Sequence, residues 1–189
     1  MKTIEELLKD DYFIEKAKKK LPKYIYDLDN ASKKDGKLSP DIGTLREKMM
    51  SGILKKEYEE DFQDELPPQG TETDFIISNE EISFKTTISK SFKLIWTAYY
   101  DQAMQFYKTF QPSCSILVML FQKTLGGLHY LPVNSLRDIR LELGNKFLKR
   151  PKSNTNPRGV ALSTKAFNRL VNHEDSISIL INWEDIEEG

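Results

Sequence analysis

The sequence is short of most features that mark a secreted, metal-scaffolded or membrane-bound chain. Its 189 residues include one cysteine, Cys114, and two histidines, His129 and His173. A single thiol excludes an internal disulfide framework and a cysteine zinc site. It suits a reducing compartment, so a cytoplasmic location is expected. The longest unbroken apolar run, Ile116 to Phe121, falls far short of the roughly 18 residues of a membrane span. Met1-Lys2 leads into Glu5, Glu6 and Asp10 rather than an apolar signal core, so the chain is expected to be soluble and unexported, with no membrane partner. Excess charge of one sign is also lacking: 28 Lys+Arg against 29 Asp+Glu leave a net charge of -1. Any basic surface must therefore be local. There is no Walker loop and no glycine-rich dinucleotide fingerprint, which removes the obvious nucleotide-driven enzymes. Internal repeats and low-complexity tails are absent.

What remains is enough for one packed core, with 39% hydrophobic residues. Residues 1–189 read as a single domain with a helical part over 1–60 and a sheet-bearing part over 70–189. Ile4, Leu7, Leu8 and Phe13 recur at helical spacing. Ile42, Leu45, Met49, Ile53 and Leu54 do so again after Ser39-Pro40, with a turn at residues 33–37 between the two runs. Pro67-Pro68-Gln69-Gly70 breaks this register. Strands are expected over 73–77 and 81–87, close enough to form an antiparallel hairpin although Asn-Gly is absent. A helix over 98–109, capped by Thr97, ends at Gln111-Pro112. Residues 115–122 predict a central strand buried on both faces. A strand over 128–133, a helix over 135–149, a polar loop over 150–159, short elements over 160–162 and 164–171, and a strand over 177–183 complete the chain. The pattern is α/β (α+β), with a mixed central β-sheet flanked by helices.

One constellation can carry chemistry. Strand alternation puts Glu81, Ser83 and Lys85 on one face and Ile82, Phe84 and Thr86 on the other. Asp74 lies on the preceding strand, and Glu47 on the helix before it. A lysine beside carboxylates suits phosphodiester hydrolysis, in which a divalent cation polarises the phosphate and acidifies the attacking water. Asp74 and Glu47 can ligate Mg²⁺ while Lys85 orients the water. A solvated cross-strand ion pair has the same signature, so the Asp74 and Lys85 spacing alone does not decide between them.

The order of parts resembles the PD-(D/E)XK nucleases: a helical acid, then Thr71-Glu72-Thr73-Asp74, then Ser83-Phe84-Lys85, then a helix and a buried strand. Ser83 stands where that superfamily has an acid, and Glu47 in Gly43-Thr44-Leu45-Arg46-Glu47 is the natural replacement, with Glu72 and Glu81 in reserve. Over the whole chain the sequence resembles type II restriction endonucleases of the ThaI kind, through Gly43 to Glu47, Ile82 to Thr86, Leu94-Ile95-Trp96-Thr97, Pro112-Ser113-Cys114 and Asn156-Pro157-Arg158-Gly159. The resemblance implies a restriction-endonuclease-like fold and a homodimer that cuts both strands of a short, CG-containing palindrome with Mg²⁺ and leaves 5′-phosphates. It further implies a cognate DNA methyltransferase in the same system. A structure-specific repair or resolvase-type nuclease and a non-catalytic DNA-binding module are the alternatives; the missing acid at Ser83 favours the second of these.

Double-stranded DNA as partner requires phosphate contacts for register and base contacts for sequence. Thr86, Thr87, Ser89, Lys90, Ser91 and Lys93 follow directly from the candidate catalytic strand. The loop from Lys149 adds Arg150, Lys152, Asn154, Asn156 and Arg158, and Arg or Asn suits bidentate reading of guanine or adenine. Both segments also read as ordinary solvated loops. Met49 and Met50 have the character of base-step wedges but sit at core spacing. His129 and His173 lack metal-ligand spacing. Trp96 and Trp183 are expected to pack, and Cys114 to be an inert buried thiol.

Overall fold

A computed structural model of the chain describes residues 2–39, 41–64, 72–97, 99–152 and 159–186. The N-terminal part holds α1 (Ile4–Leu8), α2 (Asp11–Ala31) and α3 (Ile42–Tyr58). Thr3 and Glu6 close a capping box on α1, and the Asp10 side chain accepts from the Phe13 amide to start α2. Between α2 and α3 the expected turn is a small hairpin of β1 (Lys33–Lys34) and β2 (Lys37–Leu38). Asp35 and Gly36 take φ of 51° and 76°, the left-handed pair that a tight two-residue hairpin needs.

The principal sheet contains β3 (Phe62–Gln63), β4 (Phe75–Ile77), β5 (Glu80–Thr87), β7 (Ser115–Leu120), β8 (Gly127–Leu131) and β11 (Ile177–Leu180), in the order β11-β8-β7-β5-β4-β3. Among the described residues only the β5 and β7 pair is parallel. A parallel neighbour demands a long crossover, and here it carries β6 (Lys93–Ile95) and α4 (Tyr100–Thr109). After β8 come α5 (Val133–Leu143), β9 (Leu148–Lys149), β10 (Val160–Leu162) and α6 (Thr164–Leu170). The strands β6, β10 and β9 form a second, three-stranded antiparallel sheet in the order β6-β10-β9.

Strand alternation sorts the core into two layers. Phe75, Ile82, Phe84, Leu117, Met119, Leu128 and Tyr130 pack beneath α1, α2 and α3. Ile116, Val118, Leu120 and Leu131 face α5, α6 and the small sheet. Every residue of β7 is buried, as its continuous apolar run predicts.

Several boundaries differ from the sequence reading. Ser78 and Asn79 take φ of 49° and 69°, so two residues suffice for the β4–β5 turn without Asn-Gly. Thr97 does not cap α4: the cap position is Tyr99, and the Thr97 hydroxyl instead donates to Gln102 at 2.6 Å. The helix expected over 135–149 starts at Val133 and ends at Leu143, because Gly144 turns to φ 52° and the chain enters β9. Trp183 packs as expected, with its ring 4.7 Å from Phe121 and its N–H donating to the Leu120 carbonyl. Trp96 does not, being 68% exposed.

Candidate functional site

The site follows from one inequality of length. β4 pairs with β5 over Glu80, Glu81 and Ile82 alone, whereas β7 accompanies β5 from Ile82 to Thr87. Past Ile82, β5 therefore leaves its β4 side to other partners, and a backbone N–H pointing there needs an acceptor. Asp74, the residue before β4, supplies it. Its backbone amide donates to the Ile82 carbonyl at 2.9 Å, and its Oδ2 accepts from the Phe84 amide at 2.6 Å. The same oxygen accepts from Ser83 Oγ at 3.2 Å and from Lys85 Nζ at 3.3 Å. All three donors fall on Oδ2, so Oδ1 is the oxygen that can turn toward a cation. Alternation thus places Ser83 and Lys85 on one face as expected, and both meet Asp74.

Glu47 arrives from the other direction. α3 packs along β5, and its inner face buries Arg46, Met50, Ser51 and Leu54. Arg46 donates three hydrogen bonds to the Asp29 carboxylate of α2 at 2.7, 2.9 and 3.2 Å, and its guanidinium lies 4.4 Å from the centre of the Phe121 ring. This bidentate, stacked arrangement clamps α3 next to the residue that matters. The Glu47 carboxyl is held above the ordinary carboxylate range, chiefly by burial and then by the negative charge of Asp74. Lys85 and Lys48 pull it back down. Two carboxylates and a lysine thus share one electrostatic neighbourhood.

Glu72 is also raised by burial and lowered by Lys85, so one reserve acid stands near the lysine. The other, Glu81, is exposed and accepts from the Thr73 hydroxyl at 2.9 Å. Cys114 is buried, and burial pushes its thiol up to about 11, which leaves it inert as expected. Met50 is core, and Met49 packs partly buried against it. His129 is buried between Ser178 Oγ and the Leu125 carbonyl at 2.9 and 2.8 Å, a structural role.

Glu47 and Lys85 border a cleft of about 440 Å³. Gly43, Thr44 and Glu47 of α3 form one wall, Lys85, Thr86 and Thr87 of β5 the floor, and Lys93 and Trp96 the far wall. Of the residues expected to contact DNA, Thr86, Thr87 and Lys93 thus line the same cleft as Lys85. Lys90 lies in the segment between β5 and β6, and Lys152 is exposed beyond β9. Asn154, Asn156 and Arg158 lie outside the described residues. Sequence reasoning missed Thr44 and Trp96 as cleft residues, since neither belongs to a periodic pattern. It also missed Arg46 and Asp29, because the sequence does not show that two helices will bring these 17-residue-separated charges together. A second groove of about 570 Å³ between α2 and α3 is floored by Phe13, Ala17, Leu21 and Met49 and rimmed by lysines; it holds no such convergence of carboxylates.

Among the described residues no three carboxylate, imidazole or thiolate groups converge. The charge of Asp74 raises the Glu47 carboxyl, a repulsion that a divalent cation between the two would relieve. A hard cation that keeps most of its waters, as Mg²⁺ does, suits two carboxylates.

The family model for Restriction endonuclease ThaI matches residues 7–188. A solved structure described as "Restriction endonuclease in complex with substrate DNA" is similar with a TM-score of 0.87 and 32% sequence identity, over 95% of this chain and 89% of that one. The mixed sheet with flanking helices is therefore restriction-endonuclease-like. A comparison with curated proteins gave no match.

Proposed function

The chain belongs to the ThaI family of restriction endonucleases, and from that membership we propose that it is a type II enzyme, a homodimer that cuts both strands of a short, CG-containing palindrome in double-stranded DNA. We read residues 1–189 as one nuclease domain acting in the cytoplasm beside a cognate methyltransferase. The solved relative bound to substrate DNA supports DNA as the substrate. Among the described residues no helix is long and apolar enough to cross a membrane.

The observation that supports the reading is the contact of Lys85 with Asp74 where β5 outruns β4, with Glu47 and Lys85 lining one cleft. Asp74, through Oδ1, and Glu47 would hold Mg²⁺, which when bound polarises the scissile phosphate and lowers the pKa of a coordinated water. Lys85, tethered 3.3 Å from Asp74, holds the attacking water in line through its ammonium group. Ser83 and the Phe84 amide keep the Asp74 carboxylate from rotating. The water oxygen bonds to phosphorus while the bond from phosphorus to the 3′ oxygen breaks. The attacking water gives up a proton to solvent and the 3′ oxygen takes one up from solvent, leaving a 3′-hydroxyl and a 5′-phosphate. Ser83 does not take the place of the absent acid; it serves the carboxylate that is present. Thr86, Thr87, Lys90 and Lys93 contact phosphates near the cut, and the segment of Lys152, Asn154, Asn156 and Arg158 reads bases.

Incubation of the purified chain with unmethylated plasmid and Mg²⁺, followed by sequencing of the ends, tests this reading. Discrete fragments sharing one terminal sequence are expected. A smear or a preference for branched substrates would point to a structure-specific nuclease, and no cleavage at all to a binding module.

A further inference from the structure

Trp96 is a large apolar side chain left 68% exposed on the wall of the catalytic cleft, and what surrounds it gives a reason. Lys93 lies one strand-length earlier, with Nζ 4.1 Å from the centre of the indole ring, and both residues line the cleft that contains Lys85 and Glu47. An ammonium seated on an indole face is held by the ring's electron density and loses much of the rotamer freedom a surface lysine has.

The wall is built from both halves of the site. β6 continues from the catalytic strand through only five residues, and Ser91 and Phe92 of that segment bond to Leu162 of β10 at 2.7 and 2.9 Å. β10 in turn pairs with β6, Val160 opposite Ile95, and with β9, Ala161 opposite Lys149. Gly159, the residue before β10, therefore lies directly beside Trp96. Gly159 fixes the distance: it has φ of 126°, and a Cβ there would lie 1.9 Å from the Ile95 carbonyl oxygen and 3.2 Å from the Trp96 Cα.

We infer that Trp96 is a positioning residue for DNA: its exposed indole, directly after β6 on the cleft wall, holds Lys93 against a backbone phosphate neighbouring the scissile one. The inference rests on the proposed nuclease reading and adds to it the residue that orders a phosphate contact. Charge alone does not need the tryptophan; an ordered charge does. Removing the indole takes away a restraint on the Lys93 ammonium, and side chains with more freedom lose more of it on binding.

The test uses the full-length chain and a short duplex carrying the site found by end sequencing. Binding is followed by fluorescence anisotropy in Ca²⁺ over a range of salt concentrations, and cleavage in Mg²⁺. Trp96→Ala and Lys93→Met should each weaken binding about three- to tenfold and reduce the salt slope by about one phosphate. Each should raise KM while kcat changes by no more than about twofold. The double variant should bind no worse than Lys93→Met, and Trp96→Phe should recover most of the affinity. Circular dichroism melting of every variant separates a lost contact from a lost fold. A Trp96→Ala enzyme with wild-type affinity and slope would overturn the inference, as would losses that multiply in the double variant. If the wild-type chain neither binds nor cuts the duplex, the nuclease reading itself fails; if it cuts and Trp96 is neutral, only the positioning role does.

Discussion

Three donors on a single carboxylate oxygen make Asp74 both a proposed ligand and a fixture of the fold, and substitutions separate the two roles. Asp74→Asn keeps the shape but offers a weaker acceptor to the Phe84 amide, and Asp74→Ala leaves that amide without its carboxylate. The alanine variant should therefore be less stable, by about 1–3 kcal/mol, while both lose plasmid cleavage by about 10³-fold or more. Lys85→Ala should lose cleavage to the same degree. Ser83→Ala removes only the 3.2 Å bond to Asp74, and its cleavage rate should fall less than about tenfold, the size of one hydrogen bond. A loss equal to that of Asp74→Asn would give Ser83 a direct part in the chemistry.

Glu47 behaves in the opposite sense. Burial and the Asp74 charge raise its pKa in the fold above the ordinary 4.5, so its ionised form costs stability. That cost is complete above the folded pKa and disappears below the unfolded one. Glu47→Gln should abolish cleavage yet raise the melting temperature at pH 7 to 8 in metal-free buffer, with the difference closing as the pH falls below 4.5. Added Mg²⁺ should stabilise the wild type and leave Glu47→Gln unmoved. Asp74 and Lys85 were legible because a period of two and a short turn bring them together. Glu47 was reached from the order of elements and then from the resemblance, as nothing in a helical repeat shows which sheet edge a glutamate will face. Trp96 was misread because indole in an apolar stretch ordinarily packs, and the sequence cannot show that the stretch ends at the lip of a cleft.

At the level of elements, the longest and most periodic segments were the readable ones. α2, α3, β5 and β7 carry enough residues for a period to emerge. β6, β9 and β10 have two or three residues each, too few for alternation, and so the second sheet was invisible as a sheet. It is held by partners far along the chain, as when the Ser163 amide donates to the Phe147 carbonyl and the Ser163 hydroxyl to that of Lys146. Its weak point is the close approach at Gly159. Gly159→Ala sets a methyl group against the Ile95 carbonyl in a backbone region that L residues avoid. A loss of about 2 kcal/mol is expected, lowering the melting temperature by about 4–8 °C at this length. DNA affinity should fall further than in Lys93→Met, because β6 and β10 are paired and shift together. A variant with unchanged DNA affinity would uncouple the small sheet from the substrate.

At the level of the whole molecule, a net charge of -1 means that attraction to DNA has to come from one face, with the cleft cations Lys85 and Lys93 at its centre. In the proposed reading each chain carries one site of Asp74, Lys85 and Glu47 and cuts one strand. A double-strand break at a palindrome then requires two copies related by the twofold axis of the site. The consequence can be measured without knowing the dimer surface. Co-expression of wild-type and Asp74→Asn chains under separate affinity tags, with purification through both, yields mixed dimers with one working cluster. Wild-type dimers should convert supercoiled plasmid to linear, and mixed dimers should stop at the open circle, since the second strand faces a subunit that cannot attack it. Linear product formed by mixed dimers at the wild-type rate would mean that one cluster serves both strands, and the twofold arrangement would have to be abandoned even with the chemistry at Asp74 intact.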